Sequence, residues 1–425
     1  MNIEQLYTIF LQHPSVQTDT RKLKQGDLFF ALKGPNFNGN LFAEQALNAG
    51  AAYAVIDEPV DSSMQDRLII VEDVLTTLQD LAMYHRMQFN IPFIAITGSN
   101  GKTTTKELVS TVLASHYKTY TTQGNLNNHI GIPITLLSVQ TDAEMAVIEM
   151  GANHQKEIES YCKYTLPTHG IITNCGKAHL EGFGGIEGVR KGKGELFDYL
   201  REHNGIAFIY SDYDYLHSMS KGIEHVFKYG THDANINGEV LTGEPFLKIK
   251  IKDGVDIDEI NTHLVGEYNL PNVLCAVAIG KYFHVPAEKI KTAIENYVPS
   301  NSRSQMIERG SNHIILDAYN ANPSSMKAAI ENFAKINSQN KILLLGAMME
   351  LGNESIAEHK AIIDLLKQNK WTVILVGGDY GKIEHPFLFM NNSAEAKDWF
   401  NQQQFENSYI LIKGSRSMKM ERVLE

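Results

Sequence analysis

Residues 98–103 read Gly98-Ser99-Asn100-Gly101-Lys102-Thr103, and these types at this spacing suit the cradling of a phosphate chain. Two glycines permit a tight turn that aims backbone N–H groups inward, Lys102 supplies a point charge, and the Thr103 hydroxyl is a ligand type for magnesium. The common phosphate-loop pattern places four residues between its first glycine and the Gly-Lys pair. Here only Ser99 and Asn100 separate Gly98 from Gly101, so a shorter relative of the pattern is present. The bland alternative is a glycine turn that binds nothing. Against it stand the apolar residues before the loop and the threonines at 103, 104 and 105 after it. A nucleoside triphosphate is the implied ligand.

Other residues fall where such a loop needs helpers. Glu149 ends an apolar run, 146–149; a carboxylate at the C-terminal edge of a parallel sheet is a natural magnesium ligand, or else an ordinary acidic strand end. His179 follows a second run, 170–173, and that position alone singles it out among sixteen histidines. Residues 189–196 alternate glycine with lysine, a pattern that predicts backbone crowding rather than a simple helix. Composition does not choose between Lys191 and Lys193. Asn269 and Asn272 lie one turn apart before an apolar helix, where they either face a planar base or cap the helix. Asp317, at the end of a strand-like run, suits a ribose hydroxyl, and Lys413 and Arg416 place two cations after the last strand.

These residues need sheets to hold them. In residues 1–90, short apolar runs (28–32, 52–56, 68–71) alternate with helical stretches. Residues 91–300 repeat the strand-then-helix rhythm of a parallel sheet with crossover helices. A polar break at 297–302 reads as a linker, and residues 301–425 alternate again as a smaller doubly wound α/β unit. The stretch 223–258 is open between strands and an insertion. The expected fold is therefore α/β, with boundaries near 90 and 300.

Bulk properties narrow the partners. A chain of 425 residues implies several domains, and 43% hydrophobic with 20% charged residues is a soluble globular composition. Net charge of −11 disfavours nucleic acid but allows anionic ligands at local cations. Cys162, Cys175 and Cys275 form neither a disulfide framework nor a zinc pattern and fit a reducing compartment. The start has no secretory pattern, and no apolar run is long enough to span a bilayer, so a cytoplasmic location is expected. No association signature stands out, which leaves a monomer as the expectation.

Taken together, the motifs resemble the ATP-dependent Mur ligases of peptidoglycan synthesis along nearly the whole chain. The matching pieces, in order, lie at residues 18–21, 26–34, 37–39, 97–107, 124–128, 131–133, 149–154, 178–184, 193–197, 266–272, 317–326 and 413–422. The phosphate loop is shared with folylpolyglutamate synthases. By contrast, Phe30-Ala31-Leu32-Lys33-Gly34 and residues 319–326 (YNANPSSM) point to the member of the family that uses a tripeptide. The Asp-Asn-Pro-Arg tetrapeptide of the ligase that adds the third residue is absent.

The resemblance implies a three-domain fold. It comprises an N-terminal UDP-substrate-binding α/β domain, a central parallel-sheet ATPase domain with the phosphate loop, and a C-terminal Rossmann-like α/β domain that binds the dipeptide. The implied reaction joins D-Ala-D-Ala to UDP-MurNAc-tripeptide using ATP. The resemblance gives Gly98, Ser99, Asn100, Gly101, Lys102, Thr103 and Thr104 to the ATP phosphates. Thr103 and Glu149 go to one magnesium and His179 to a second. Lys193 matches the lysine carbamylated by CO₂, whose anion ligates magnesium. Asn269 and Asn272 would face adenine, Asp317 the ribose, and Arg303 the γ-phosphate. Thr20, Arg21, Lys33 and Gly34 would follow the UDP, with Asn125, Asn127 and Asn128 near the muramoyl peptide and Lys413 and Arg416 near the dipeptide. The chain departs from the family pattern at Asn40, where histidine is usual, and at Ala318 and Ala347, where aspartate is common. A ligase with another acceptor and a non-ligating regulatory ATPase are the rival readings.

Overall fold

The computed structural model describes every residue except Ser62 and Asn301. Asn301 belongs to the stretch expected to be a linker, so that part of the expectation lies outside the described residues. The chain is a three-domain α/β protein built on three main sheets. In the first, strands Val16–Gln17, Leu28–Phe30, Tyr53–Ile56 and Leu68–Ile70 pair in that order, all parallel. A short antiparallel ribbon, Lys33–Gly34 against Phe37–Asn38, extends from it.

Helix Val74–Arg86 follows, capped by Asp73, whose carboxylate accepts the Thr76 N–H. Its last residue is a buried arginine that donates to the carbonyls of Thr165 and Leu166 at 3.0 and 2.9 Å. The helix thus ties the first sheet to the second.

The second sheet has nine strands. Phe93–Thr97 lies inside it, paired in parallel with Met145–Glu149 on one side and His169–Ile172 on the other. All five residues of Phe93–Thr97 and of Met145–Glu149 are buried, which explains why their sequences are unbroken apolar runs: helices cover both faces. The crossover from this strand runs to one side of it, toward Thr119–Thr121, and the crossover after Met145–Glu149 passes to the other side, so its C-terminal end lies at a topological switch point, where ligands bind in such sheets.

The third sheet has six strands. Gln305–Arg309 is antiparallel to Asn312–Asp317, and the rest, including Lys341–Gly346, Thr372–Val376 and Tyr409–Lys413, run parallel.

Two expectations are settled by packing. The open stretch 223–258 forms strands His225–Gly230, Ile236–Thr242 and Lys248–Asp253, the last antiparallel to its neighbour, with Ile249 and Ile251 inward between outward lysines. The glycine–lysine run expected to resist simple helix formation is instead the middle of one helix, Ile186–Glu202. The crowding itself is present. A Cβ on Gly188 would fall 1.8 Å from the Phe183 carbonyl oxygen, and one on Gly192 would fall 2.4 Å from the Phe183 ring. Packing against the preceding short helix outweighs about 1 kcal/mol of glycine propensity per residue. No helix among the described residues is long and apolar enough to cross a membrane.

Candidate functional site

The phosphate loop leaves strand Phe93–Thr97 and enters helix Lys102–Ala114. Gly98 has φ +145°, and a Cβ there would lie 2.0 Å from Thr173 Oγ1. Gly98 is therefore required by close approach to the neighbouring strand end, and it does not line the cavity described below. The Ser99 N–H donates to the Asn174 carbonyl at 2.9 Å and the Asn100 N–H to Asn174 Oδ1 at 3.0 Å. This corrects the expectation that the loop's N–H groups all turn inward: two are committed to Asn174. Besides Ser99 and Asn100, the cavity is lined by Gly101, at φ +79°, and by the first turn at Lys102, Thr103 and Thr104. Gly101 gives the helix no side-chain cap, so those N–H groups are left for an anion. Lys102 is half-buried, its ammonium donating to the Gly98 and Ser99 carbonyls at 2.7 and 3.4 Å. Burial holds its pKa below the usual lysine value.

Glu149 is 1% exposed. Its Oε1 accepts from Thr103 Oγ1 at 3.1 Å and from Asn127 Nδ2 at 2.8 Å, while its buried Oε2 has no partner. An unpartnered buried carboxylate oxygen beside a hydroxyl fits a hard cation. No group of three His, Cys, Asp or Glu able to hold a metal occurs among the described residues. A cation here would thus take its other ligands from phosphate and water, as magnesium does.

His179, at φ +51°, also lines the cavity, and its Nδ1 is hydrogen-bonded to the Glu350 carboxylate from the third domain. That bond lowers the pKa of Glu350.

Burial separates the two lysines that composition could not: Lys191 is exposed, whereas Lys193 is 1% exposed. Lys193 Nζ donates to the Ala152 carbonyl at 2.9 Å and sits 4.9 Å from the Phe183 ring, with no carboxylate in contact. Burial first, and then the nearby Lys102 charge, push its pKa well below 10.5. A neutral amine is the state that reacts with CO₂. Lys193 stands behind the cavity wall, since Ala152 lines the cavity and Lys193 does not.

Asn269 and Asn272 are bound to each other at 2.8 Å. Asn272 Oδ1 also accepts from Thr105 Oγ1 at 3.0 Å and lies 2.7 Å from where a Gly101 Cβ would be. Asn272 thus buttresses the loop, and both asparagines line the cavity. The third domain brings Arg303, stacked 3.5 Å over the Tyr319 ring, and Asp317, paired with Lys413 at 2.5 Å. Lys413 is only 2% exposed. The shared cavity encloses about 710 Å³.

The structure does not bring every expected residue to this cavity. Asn128 lines it, but Asn125 lies exposed in the preceding turn. Arg416 is outside the lining, paired with Glu421 at 3.8 Å. Thr20 and Arg21 lie in a short helical turn on the first domain, Arg21 paired with Asp19 at 2.8 Å. Lys33 and Gly34 lie on the ribbon, where Lys33 pairs with Asp57 at 3.1 Å and Glu58 at 3.2 Å. Asn40 is buried and donates to Asp57 at 2.8 Å, so it helps fix that ribbon. Ala318 and Ala347 are fully buried.

Sequence reasoning missed Asn174, Glu350 and the stacked pair Tyr213 and Tyr215, which lines the cavity with ring centroids 5.4 Å apart. Among eighteen tyrosines nothing marks those two. Asn174 had a signal, its place just after strand His169–Ile172.

Comparison with known proteins agrees with this geometry. Three family models match in chain order: the Mur ligase family catalytic domain at residues 14–86, the Mur ligase middle domain at 96–280, and the Mur ligase glutamate ligase domain at 302–416. The chain is 33% identical over 423 residues to the UDP-N-acetylmuramoyl-tripeptide–D-alanyl-D-alanine ligase of Bacillus subtilis, covering 96% of this chain and 92% of that protein. It is 35% identical over 429 residues to the ligase of the same name from Escherichia coli, with the same coverage. Its fold matches the crystal structure of MurF ligase from Thermotoga maritima in complex with ADP, with TM-score 0.86, 25% identity and 97% of each chain covered. The chain belongs to the Mur ligase family.

Proposed function

We propose that this chain joins D-Ala-D-Ala to the terminal carboxylate of UDP-MurNAc-tripeptide, using ATP and releasing ADP and phosphate. The observation that carries the reading is the cavity shared by two domains. The central domain contributes the phosphate loop, Glu149 and Asn272, and the third contributes Arg303, Asp317 and Lys413. The names of the relatives and the ADP in the Thermotoga maritima complex support the same substrates.

The residues support a two-step reaction. The tripeptide carboxylate attacks the γ-phosphorus, and the bond to the leaving ADP breaks; Lys102 and the helix N-terminus offset charge at the phosphates. Arg303 supplies a further cation when the third domain is seated. The amine of D-Ala-D-Ala then attacks the acyl carbon, phosphate leaves, and the amine proton passes to solvent. Closure of the third domain keeps water from the acyl phosphate. Thr103 and Glu149 would hold one magnesium and His179 a second, and magnesium when bound would supply positive charge at the phosphate oxygens. Lys193 fits carbamylation, in which its neutral nitrogen bonds CO₂ and releases a proton. The resulting anion would serve as a further ligand for magnesium.

Domains at 1–90, 91–300 and 301–425 would bind the UDP portion, ATP and the dipeptide in turn. Thr20, Arg21, Lys33 and Gly34 belong to the first role. Asn125, Asn127 and Asn128 meet the muramoyl peptide, and Lys413 and Arg416 seat the dipeptide. Free buried cysteines suit a cytoplasmic protein, here a monomer. The test is phosphate release with UDP-MurNAc-tripeptide, ATP and magnesium, with and without D-Ala-D-Ala. Release that requires the dipeptide supports the reading; release indifferent to it overturns the acceptor.

A further inference from the structure

Asn100 occupies the middle of the phosphate loop, and its backbone is pinned from behind by the central domain. Its N–H donates to Asn174 Oδ1 at 3.0 Å, and its carbonyl accepts from Thr173 Oγ1 at 2.7 Å and Asn174 Nδ2 at 3.1 Å. Only its side chain is left to reach forward. There Oδ1 accepts from Asn322 Nδ2 of the third domain at 2.7 Å. Asn322 is 6% exposed and is the N-cap of helix Pro323–Lys335. Its Oδ1 accepts the Ser325 N–H at 2.9 Å, and Ser325 Oγ accepts the Asn322 N–H at 3.1 Å. This reciprocal cap fixes the amide with its oxygen toward the helix, so Nδ2 must face the loop.

The adjoining residue seats the same domain a second time. Ser324 Oγ accepts the Lys177 N–H at 2.9 Å, and Lys177 Nζ bonds Glu358 at 2.5 Å. The third domain therefore touches the phosphate loop itself as well as the rim of the cavity.

We infer that Asn322 is a positioning residue for the phosphate loop, acting through Asn100, so that the nucleotide cradle is completed only when the third domain is docked. This rests on the nucleotide-binding reading above. A loop prepared in its bound shape binds more tightly than one that must be ordered.

The test is ADP binding by calorimetry on the full chain, as wild type, Asn322→Ser, Asn100→Ala and the double variant. Serine keeps a capping oxygen but is too short to reach Asn100, so the helix cap is preserved while the contact to the loop is lost, and a melting curve checks that the variant is folded. Asn322→Thr, which also keeps a capping hydroxyl, is measured in parallel and is expected to behave as the serine variant does. Each single change is expected to raise Kd about fivefold, the worth of one neutral hydrogen bond, and the double variant also about fivefold. An unchanged Kd for the capping variants, or a double variant weakened about 25-fold, as independent effects would multiply, overturns the inference alone. A wild-type chain that binds no ADP overturns it together with the nucleotide reading.

Discussion

The switch-point cavity and the ribbon surface of the first domain hold their polar residues in opposite ways. At the cavity and just behind its wall, Glu149, Lys193 and Lys413 are at most 2% exposed and bonded to fixed neighbours, so these groups are held in place before any substrate arrives. On the first domain, Arg21 and Lys33 keep side chains 86% and 42% exposed and spend their charge on Asp19, Asp57 and Glu58. Preorganisation of the first kind stabilises a transition state, because it need not be ordered during the reaction. Exposed pairs of the second kind are worth little to stability and can exchange partners when an anionic ligand lands. Under the proposed assignment of the two regions, the cavity is expected to govern kcat and the ribbon surface KM for the UDP substrate.

That division can be broken most severely at Glu149. Glu149→Gln is expected to lower kcat roughly 10²–10³-fold, the scale for one electrostatic contributor in a water-excluded site. Steady-state kinetics with a melting curve checks this, and an unchanged kcat would remove Glu149 from the chemistry. Lys193→Ala should come next, losing most activity that bicarbonate or a short carboxylate partly restores. Full activity in that variant would contradict a carbamate role.

Lys193 also predicts a pH effect on stability. Its folded pKa lies well below 10.5, so between that lowered value and 10.5 the unfolded chain binds a proton that the folded chain does not. Stability tied to Lys193 therefore rises with pH through that window. In CO₂-free buffer Lys193→Met should melt above wild type at neutral pH, with the gap narrowing as pH approaches 10.5. A gap constant with pH would contradict the buried neutral amine.

Smaller effects belong to the ribbon side. Arg21→Ala and Lys33→Ala are each expected to raise KM for UDP-MurNAc-tripeptide a few-fold through lost uniform binding, with KM for ATP and melting temperature unchanged. A fall in kcat at constant KM would erase the contrast between the two regions. The smallest expected effect is none at all, at the exposed Lys191 two positions from Lys193. Activity lost in Lys191→Ala would reverse the assignment of the two lysines.

How much of this was legible follows from the same contrast. The strands Phe93–Thr97, Met145–Glu149 and Lys341–Gly346 are buried on both faces, so their apolar runs announce them, and the polar residues Thr97 and Glu149 that end the first two mark the ligand edge. Helix Ile186–Glu202 hides in the sequence because Gly188 and Gly192 weaken a helix locally, and only contact with Phe183 reveals why they are there. Asn174 beneath the loop, Glu350 against His179, and Asn322 against Asn100 join residues 74, 171 and 222 positions apart. No local period carries such pairs, since tertiary docking creates them. Charged residues on the ribbon were recognised by motif, yet their spacing could not tell that Lys33 would face Asp57 and Glu58.

The claim at the centre is that the built cavity makes the peptide carboxylate a phosphoryl acceptor. It is tested most directly with UDP-MurNAc-tripeptide carrying ¹⁸O in its terminal carboxylate, supplied with ATP, magnesium and D-Ala-D-Ala in unlabelled water. An acyl phosphate transfers one labelled oxygen to inorganic phosphate for every amide bond formed. Phosphate free of label, with both labelled oxygens left in the peptide, would mean that ATP is hydrolysed by water and would contradict the account.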